Sequence, residues 1–210
     1  GTLITAAGFL PIGLAKSTTG EYTFAIFAVT VIALVLSWIV SVYFVPYLGT
    51  LLLKVPPHVL AAQGKGFTAG ALMSANPVYV LFDPQCPHCS QLWKASQPLN
   101  TKVKFIWVPV AIIGPKSLPQ GAALMQSSDP VQAMSAHEAS LLAGQGGMSA
   151  SANVPADVEA AIKSNTQLLD SLGADSVPFI VARHAGSGQV ITRAGAMDTA
   201  GLTSWLGMQP

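Results

Sequence analysis

The only two cysteines of this chain, Cys86 and Cys89, stand two residues apart with Pro87 and His88 between them. Two thiols at this spacing can pass a disulfide to another protein or take one from it, with one sulfur attacking as the thiolate and the other resolving the mixed disulfide. The local context supports that chemistry. The apolar run Val78-Tyr79-Val80-Leu81-Phe82 precedes Asp83-Pro84-Gln85, and Ser90-Gln91-Leu92-Trp93-Lys94-Ala95-Ser96 reads as a helix. A strand that feeds a helix opening on Cys-x-x-Cys is a thiol-redox arrangement. Unpaired backbone N–H groups and the positive helix end favour an anion at the first cysteine. Pro87 suits the first helical turn, where no N–H is needed. His88 brings a donor or a positive charge close to the sulfur. Cys86 is therefore expected as the attacking thiolate, partly exposed, and Cys89 as the covered resolving thiol.

Two other uses of such a pair are possible in principle. A structural zinc site needs four ligands, yet there is no second cysteine pair, and His58, His137 and His184 lack ligand spacing. A static disulfide closing a two-residue loop gains little from that closure. The expectation is that no metal and no cofactor beyond the Cys86–Cys89 couple is required.

The elements that must position the pair follow from the patterning. Pro77–Phe82 is the expected first strand, 87–97 the redox helix and 103–110 the second strand. Residues 118–126, 130–143 and 155–172 carry helix-period apolar positions, with Ser128 or Asp129 as a cap before Pro130 and Gly173 as a stop. These helices form an expected insert over about 117–173. On the second of them His137 and Glu138 are expected as a surface pair. Strands at 176–183 and 189–193 form a hairpin, and a last helix starts at Asp198 or Thr199. The order is β-α-β, helical insert, β-β-α: an α/β chain in the thioredoxin arrangement with a helical insertion, over 77–210.

Composition divides the chain. Net charge is +1 and only 9% of residues are charged, so no nucleic-acid footprint is visible. Residues 1–60 hold three charged side chains, Lys16, Glu21 and Lys54, and Thr23 to Val45 runs uncharged. That run is long enough to cross a bilayer, with Tyr22, Tyr43 and Tyr47 at its ends, so a retained transmembrane helix over 23–45 is expected. The glycine-rich stretch 59–76 reads as a linker with some extended structure.

Two resemblances add to this reading. Gly8-Phe9-Leu10-Pro11, Thr19-Gly20-Glu21-Tyr22 and Pro46-Tyr47-Leu48-Gly49 with Leu51-Leu52-Leu53-Lys54 resemble a piece of resistance-nodulation-division efflux transporters, over about 1–58. The second rests on Val80 to Trp93 (VLFDPQCPHCSQLW), Asp129-Pro130, Asn153-Val154-Pro155-Ala156, Asn165 with Leu168-Leu169-Asp170, and Leu172-Gly173-Ala174 before Pro178. These resemble the catalytic domains of periplasmic disulfide isomerases of the DsbC/DsbG type. That resemblance implies Cys86 and Cys89 as the catalytic pair and Pro178 as a cis-proline against the sulfurs. It also implies that the Val177 backbone binds an extended substrate segment. Implied substrates are cysteine-containing exported proteins, with disulfides or sulfenylated cysteines. The implied partner is a membrane redox protein of the DsbD or DsbB type, and the implied location is the periplasm, here tethered by the N-terminal helix. Three departures stand out. Pro87-His88 is the dipeptide of the oxidant DsbA, Val177 stands where the family usually has Thr, and transporter-like residues stand where the family has a dimerisation domain. Other readings of the chain are a membrane-associated binding module with a static disulfide, or a non-physiological fusion of a transporter fragment with a redox domain.

Overall fold

A computed structural model describes residues 18–44, 57–150 and 153–208. The chain divides into two units, Gly1–Val55 and Pro56–Pro210. In the first, an α-helix, α1, runs Thr18–Ile39 and gives way to a π-helical turn over Val40–Phe44. Among the described residues no helix is long and apolar enough to cross a membrane. The expected transmembrane helix over 23–45 is therefore not met. The regular α-ladder begins on polar Thr18-Thr19-Gly20-Glu21 and stops at Ile39, short of the uncharged run's end. Most of the transporter-like motifs, in 1–17 and 45–56, lie outside the described residues.

The second unit is built on one five-stranded sheet: β1 (Phe67–Gly70), β2 (Val78–Phe82), β3 (Lys104–Pro109), β4 (Phe179–Arg183) and β5 (Val190–Ala194), in the spatial order β1-β3-β2-β4-β5. β2 and β3 are parallel, and the other pairs are antiparallel. A parallel pair needs a crossover, and the helix α3 (Pro87–Ser96) supplies it. All five side chains of β2 are buried, which is why its sequence shows no polar alternation. Val80 and Phe82 enter one core with Phe67, Trp93, Phe105, Trp107, Met134 and Leu202. Tyr79 and Leu81 enter the other, with Val108, Leu168, Leu169 and Val181. The indoles of Trp93 and Trp107 meet edge-on, with centroids 4.9 Å apart, and fix α3 against β3.

The stretch 59–76 is not a linker. Its first residues finish a short helix, α2 (Pro57–Gln63), whose Leu60 is fully buried in the second core. Phe67 then begins β1, which pairs on the outer edge of β3 with Phe67 opposite Trp107. The small residues that look like linker composition are there for close approach. A Cβ at Gly66 would lie 2.1 Å from the Trp107 carbonyl oxygen, and Gly70 has φ +93°. Buried Asn165 ties this segment down: its amide donates to the carbonyls of Lys65 (2.7 Å) and Pro109 (2.9 Å), and its oxygen accepts from Lys65 N.

Between β3 and β4 lie α4 (Ser117–Gln126), α5 (Pro130–Leu142) and α6 (Ala156–Ser171). Asp129 caps α5 by accepting from Gln132 N at 3.0 Å, with Pro130 at the first turn. The last helix, α7 (Thr199–Trp205), is capped by Asp198, which accepts from Gly201 N at 2.8 Å.

Candidate active site

β2 delivers the chain to the turn Asp83-Pro84-Gln85, and Cys86 follows as the N-cap of α3, with extended backbone (φ −92°, ψ 113°) and Pro87 at the first helical position. The Cys86 carbonyl accepts the first helical bond, from Cys89 N at 3.0 Å. Both cysteines are thiols. Cys86 is 3% exposed, less than its place at a helix start led us to expect, and Cys89 is fully buried. The Cys86 thiol donates toward the Val177 carbonyl at 3.4 Å, and the Val177–Pro178 peptide bond is cis. Pro87 and His88 are exposed on the outer side of the turn, and His88 Nδ1 lies 3.4 Å from Gln91 Oε1. Cys86, Pro87, His88, Cys89, Val177 and Pro178 thus come together, from two segments about ninety residues apart.

The two sulfurs differ electrostatically. A hydrogen bond from the Cys89 side chain lowers the Cys86 thiol to about 6, against the opposing effect of burial; the backbone N–H groups of Cys89 and His88 and the charge of His88 add to the lowering. Cys89 is pushed well above the ordinary thiol range, first by burial and then by its hydrogen bond and charge interaction with Cys86. One sulfur is an anion near neutrality and the other holds its proton.

Side chains that carry no thiol chemistry shape the turn. The fully buried Asp83 carboxylate accepts four hydrogen bonds. Oδ1 takes Gln85 N (2.8 Å) and Ser117 Oγ (2.7 Å); Oδ2 takes Ile112 N (2.8 Å) and Ile113 N (2.9 Å). It joins the turn before Cys86, the end of β3 and the start of α4. Substitution Asp83→Ala leaves several of these donors unpaired and is expected to cost on the order of 3 kcal/mol in denaturant unfolding, with loss of Cys86 thiolate character. Gln120 extends the clamp: it accepts from Gln85 Nε2 and donates to the carbonyls of Gly146 (3.0 Å) and Met148 (2.8 Å).

The expected surface pair His137–Glu138 is buried: His137 is fully covered and Glu138 is 2% exposed. α5 is packed between α3 and α4, so both residues meet protein where a two-layer helix would meet water. His137 Nε2 donates to the Pro84 carbonyl at 2.7 Å, and Nδ1 accepts from Met148 N at 3.1 Å. Burial lowers its pKa, consistent with a neutral ring that donates from one nitrogen and accepts at the other. Glu138 accepts a hydrogen bond from Ser90 Oγ, directly after Cys89. Burial pushes the Glu138 carboxyl up to about 8; the Ser90 bond opposes this and the charge of Cys86 adds to it. A His-Glu dipeptide within a helix carries no sign in sequence of which neighbour will cover it, so only the packing of α5 reveals these residues.

A parallel β-α-β unit and an antiparallel hairpin, with helices on both faces and Cys-x-x-Cys at the start of the crossover helix, define a thioredoxin-like fold with a helical insertion. Solved structures agree. The catalytic domain of Proteus mirabilis ScsC is similar with a TM-score of 0.55 at 18% identity, over 71% of this chain and 92% of that one. A periplasmic thioredoxin-like protein from Salmonella enterica serovar Typhimurium gives 0.57 at 17% identity, over 73% and 96%. In sequence, the chain is similar to the thiol:disulfide interchange protein DsbG of Pseudomonas aeruginosa, 33% identical over 147 residues, 69% of this chain and 56% of that protein. It is also similar to DsbG of Escherichia coli, 35% identical over 105 residues, 49% of this chain and 42% of that protein. The chain thus spans about half the length of the curated relatives it matches. No family model matches it.

Proposed function

We propose that this chain is a thiol–disulfide oxidoreductase of the DsbG/DsbC type, working through Cys86-Pro87-His88-Cys89. The observation that carries this reading is the unequal pair at the start of α3: a Cys86 thiol lowered to about 6 beside a buried Cys89 raised well above the ordinary range. The Cys86 thiolate attacks one sulfur of a substrate disulfide, a Cys86–substrate bond forms and the second substrate sulfur leaves as a thiolate. Cys89 then attacks Cys86, releasing the first substrate sulfur and closing the Cys86–Cys89 disulfide. A sulfenylated cysteine reacts at the same sulfur, losing water as the mixed disulfide forms. Run backward, the same steps place a disulfide in a dithiol.

His88 adds to the acidity of Cys86, and Pro87 opens the helix whose N–H groups face the sulfur. The Val177 carbonyl, 3.4 Å from Cys86 Sγ, and Pro178 after it form the opposite wall, where an extended substrate segment would pair with backbone. The substrates in this reading are cysteine-containing proteins exported to the periplasm, and a membrane protein of the DsbD or DsbB type resets the couple. The test is turnover of a fluorescent peptide disulfide by the purified full chain in a glutathione buffer. Turnover that vanishes in Cys86→Ser supports the reading; equal rates for that variant and the parent would remove it.

A further inference from the structure

Resolution of the mixed disulfide requires Cys89 to give up a proton, yet this thiol is fully buried with its pKa pushed up. A group beside it must take that proton. Ser90 and Glu138 are the candidates. Ser90 follows Cys89 directly, is itself fully buried, and donates its hydroxyl hydrogen to Glu138 Oε2. Among the described residues, Glu138 Oε1 is buried with no hydrogen-bond partner. An acceptor oxygen left open in a core is costly and calls for an explanation. The other groups near the pair have assigned bonds. Asp83 is saturated by four donors, and His137 uses both ring nitrogens on backbone.

We propose that Glu138, held in place by Ser90, is the internal proton acceptor for Cys89 when the Cys86–substrate mixed disulfide is resolved. The inference rests on the exchange reading above. In this step the Cys89 S–H bond breaks and its proton passes to Glu138 Oε1. The Cys89–Cys86 bond forms with the electron pair left on sulfur, and the substrate sulfur departs with the pair of the broken bond. Cys89 and Cys86 end as a disulfide, the substrate cysteine ends reduced, and no outside reagent is consumed.

The same arrangement times the base. The titratable groups whose charge acts between themselves and Glu138 are Cys86 and Cys89 from α3; α4 and β1, also packed on α5, carry no titratable side chain. While Cys86 is a thiolate, its charge disfavours a second anion at Glu138. Once Cys86 is joined to substrate, that charge is gone and the carboxylate forms more readily, at the step that needs it.

The chain has only three glutamates, Glu21, Glu138 and Glu159, so carboxyl NMR with isotope-labelled glutamate can follow each one in the full chain. In Cys89→Ala, capping Cys86 as a methyl disulfide is expected to move the highest-titrating glutamate to lower pH. No movement on capping overturns the timing and with it the proposal. In single-turnover kinetics with a peptide disulfide, Glu138→Gln is expected to lower the ratio of resolution rate to attack rate by about a hundredfold at neutral pH. Raising the pH should restore it, because hydroxide then removes the Cys89 proton. Ser90→Ala, which keeps the acid, should give a smaller effect of the same sign. A Glu138→Gln resolution rate with the parent's pH profile assigns Glu138 to packing alone and overturns the proposal while leaving the exchange reading in place. If the parent forms no mixed disulfide at all, both readings fall together.

Discussion

Cys89→Ser is expected to accumulate substrate as a mixed disulfide on Cys86, and Cys86→Ser is expected to accumulate none. The asymmetry comes from where the two sulfurs sit. Cys86 is the N-cap of α3, with the N–H groups of His88 and Cys89 and the Cys89 thiol all favouring its anion. Cys89 lies one turn into the helix, fully buried and protonated. Attack therefore begins at Cys86, and with Cys89 gone the covalent intermediate has no internal exit. Non-reducing electrophoresis after an acid quench reads the result directly. The loss in Cys86→Ser should be complete, to the rate of thiol exchange in buffer alone. Equal adduct yields from both variants would reverse or erase the assignment of roles.

The second large effect is in pH. The ultraviolet absorbance of the Cys86 thiolate should titrate with a midpoint near 6, well below the free thiol value of about 8.5. At pH 7 Cys86 is then about nine-tenths thiolate, where an ordinary cysteine is a few per cent. The same shift governs stability. A thiol pKa lowered by folding contributes stability that is full above about 8.5 and is lost as pH falls through about 6. The disulfide form has no Cys86 thiol and lacks this contribution. Denaturant unfolding of the two forms should therefore show the dithiol gaining on the disulfide form as pH rises from about 6 to about 8.5. Above that window the raised Cys89 thiol works in the opposite sense. A stability difference that stays flat across the window would mean that the thiolate is not held by the fold.

Much of this molecule can be read along the chain because its signals are local. The apolar pentapeptide Val78–Phe82, the Cys-x-x-Cys after it, Pro87 and Pro130 at first helical turns, Asp129 and Asp198 as caps and the glycine at 173 each act within a few residues of themselves. They place β2, α3, α5 and α7 to within a residue or two of where they lie. What misled was composition without context. Gly64, Gly66 and Gly70 look like a linker because small residues are common in linkers. In the fold, Gly66 leaves room for the Trp107 carbonyl, and the segment closes the sheet edge. An uncharged run looks like a membrane span, while the backbone changes its helical winding at Val40.

Residue type and short spacing place the cysteine pair, the strand and helix that present it, and the order of the elements from β2 onward, because each of these signals is local. Tertiary structure alone decided what surrounds the sulfurs. Val177 reaches Cys86 across ninety residues of chain, Asp83 gathers donors from three segments, and Glu138 arrives at Ser90 from the inserted helix. Whether a glutamate on a helix meets water or a buried hydroxyl depends on which helix packs over it. That packing is fixed by the joint burial of two apolar faces, and no stretch of either helix read alone contains it.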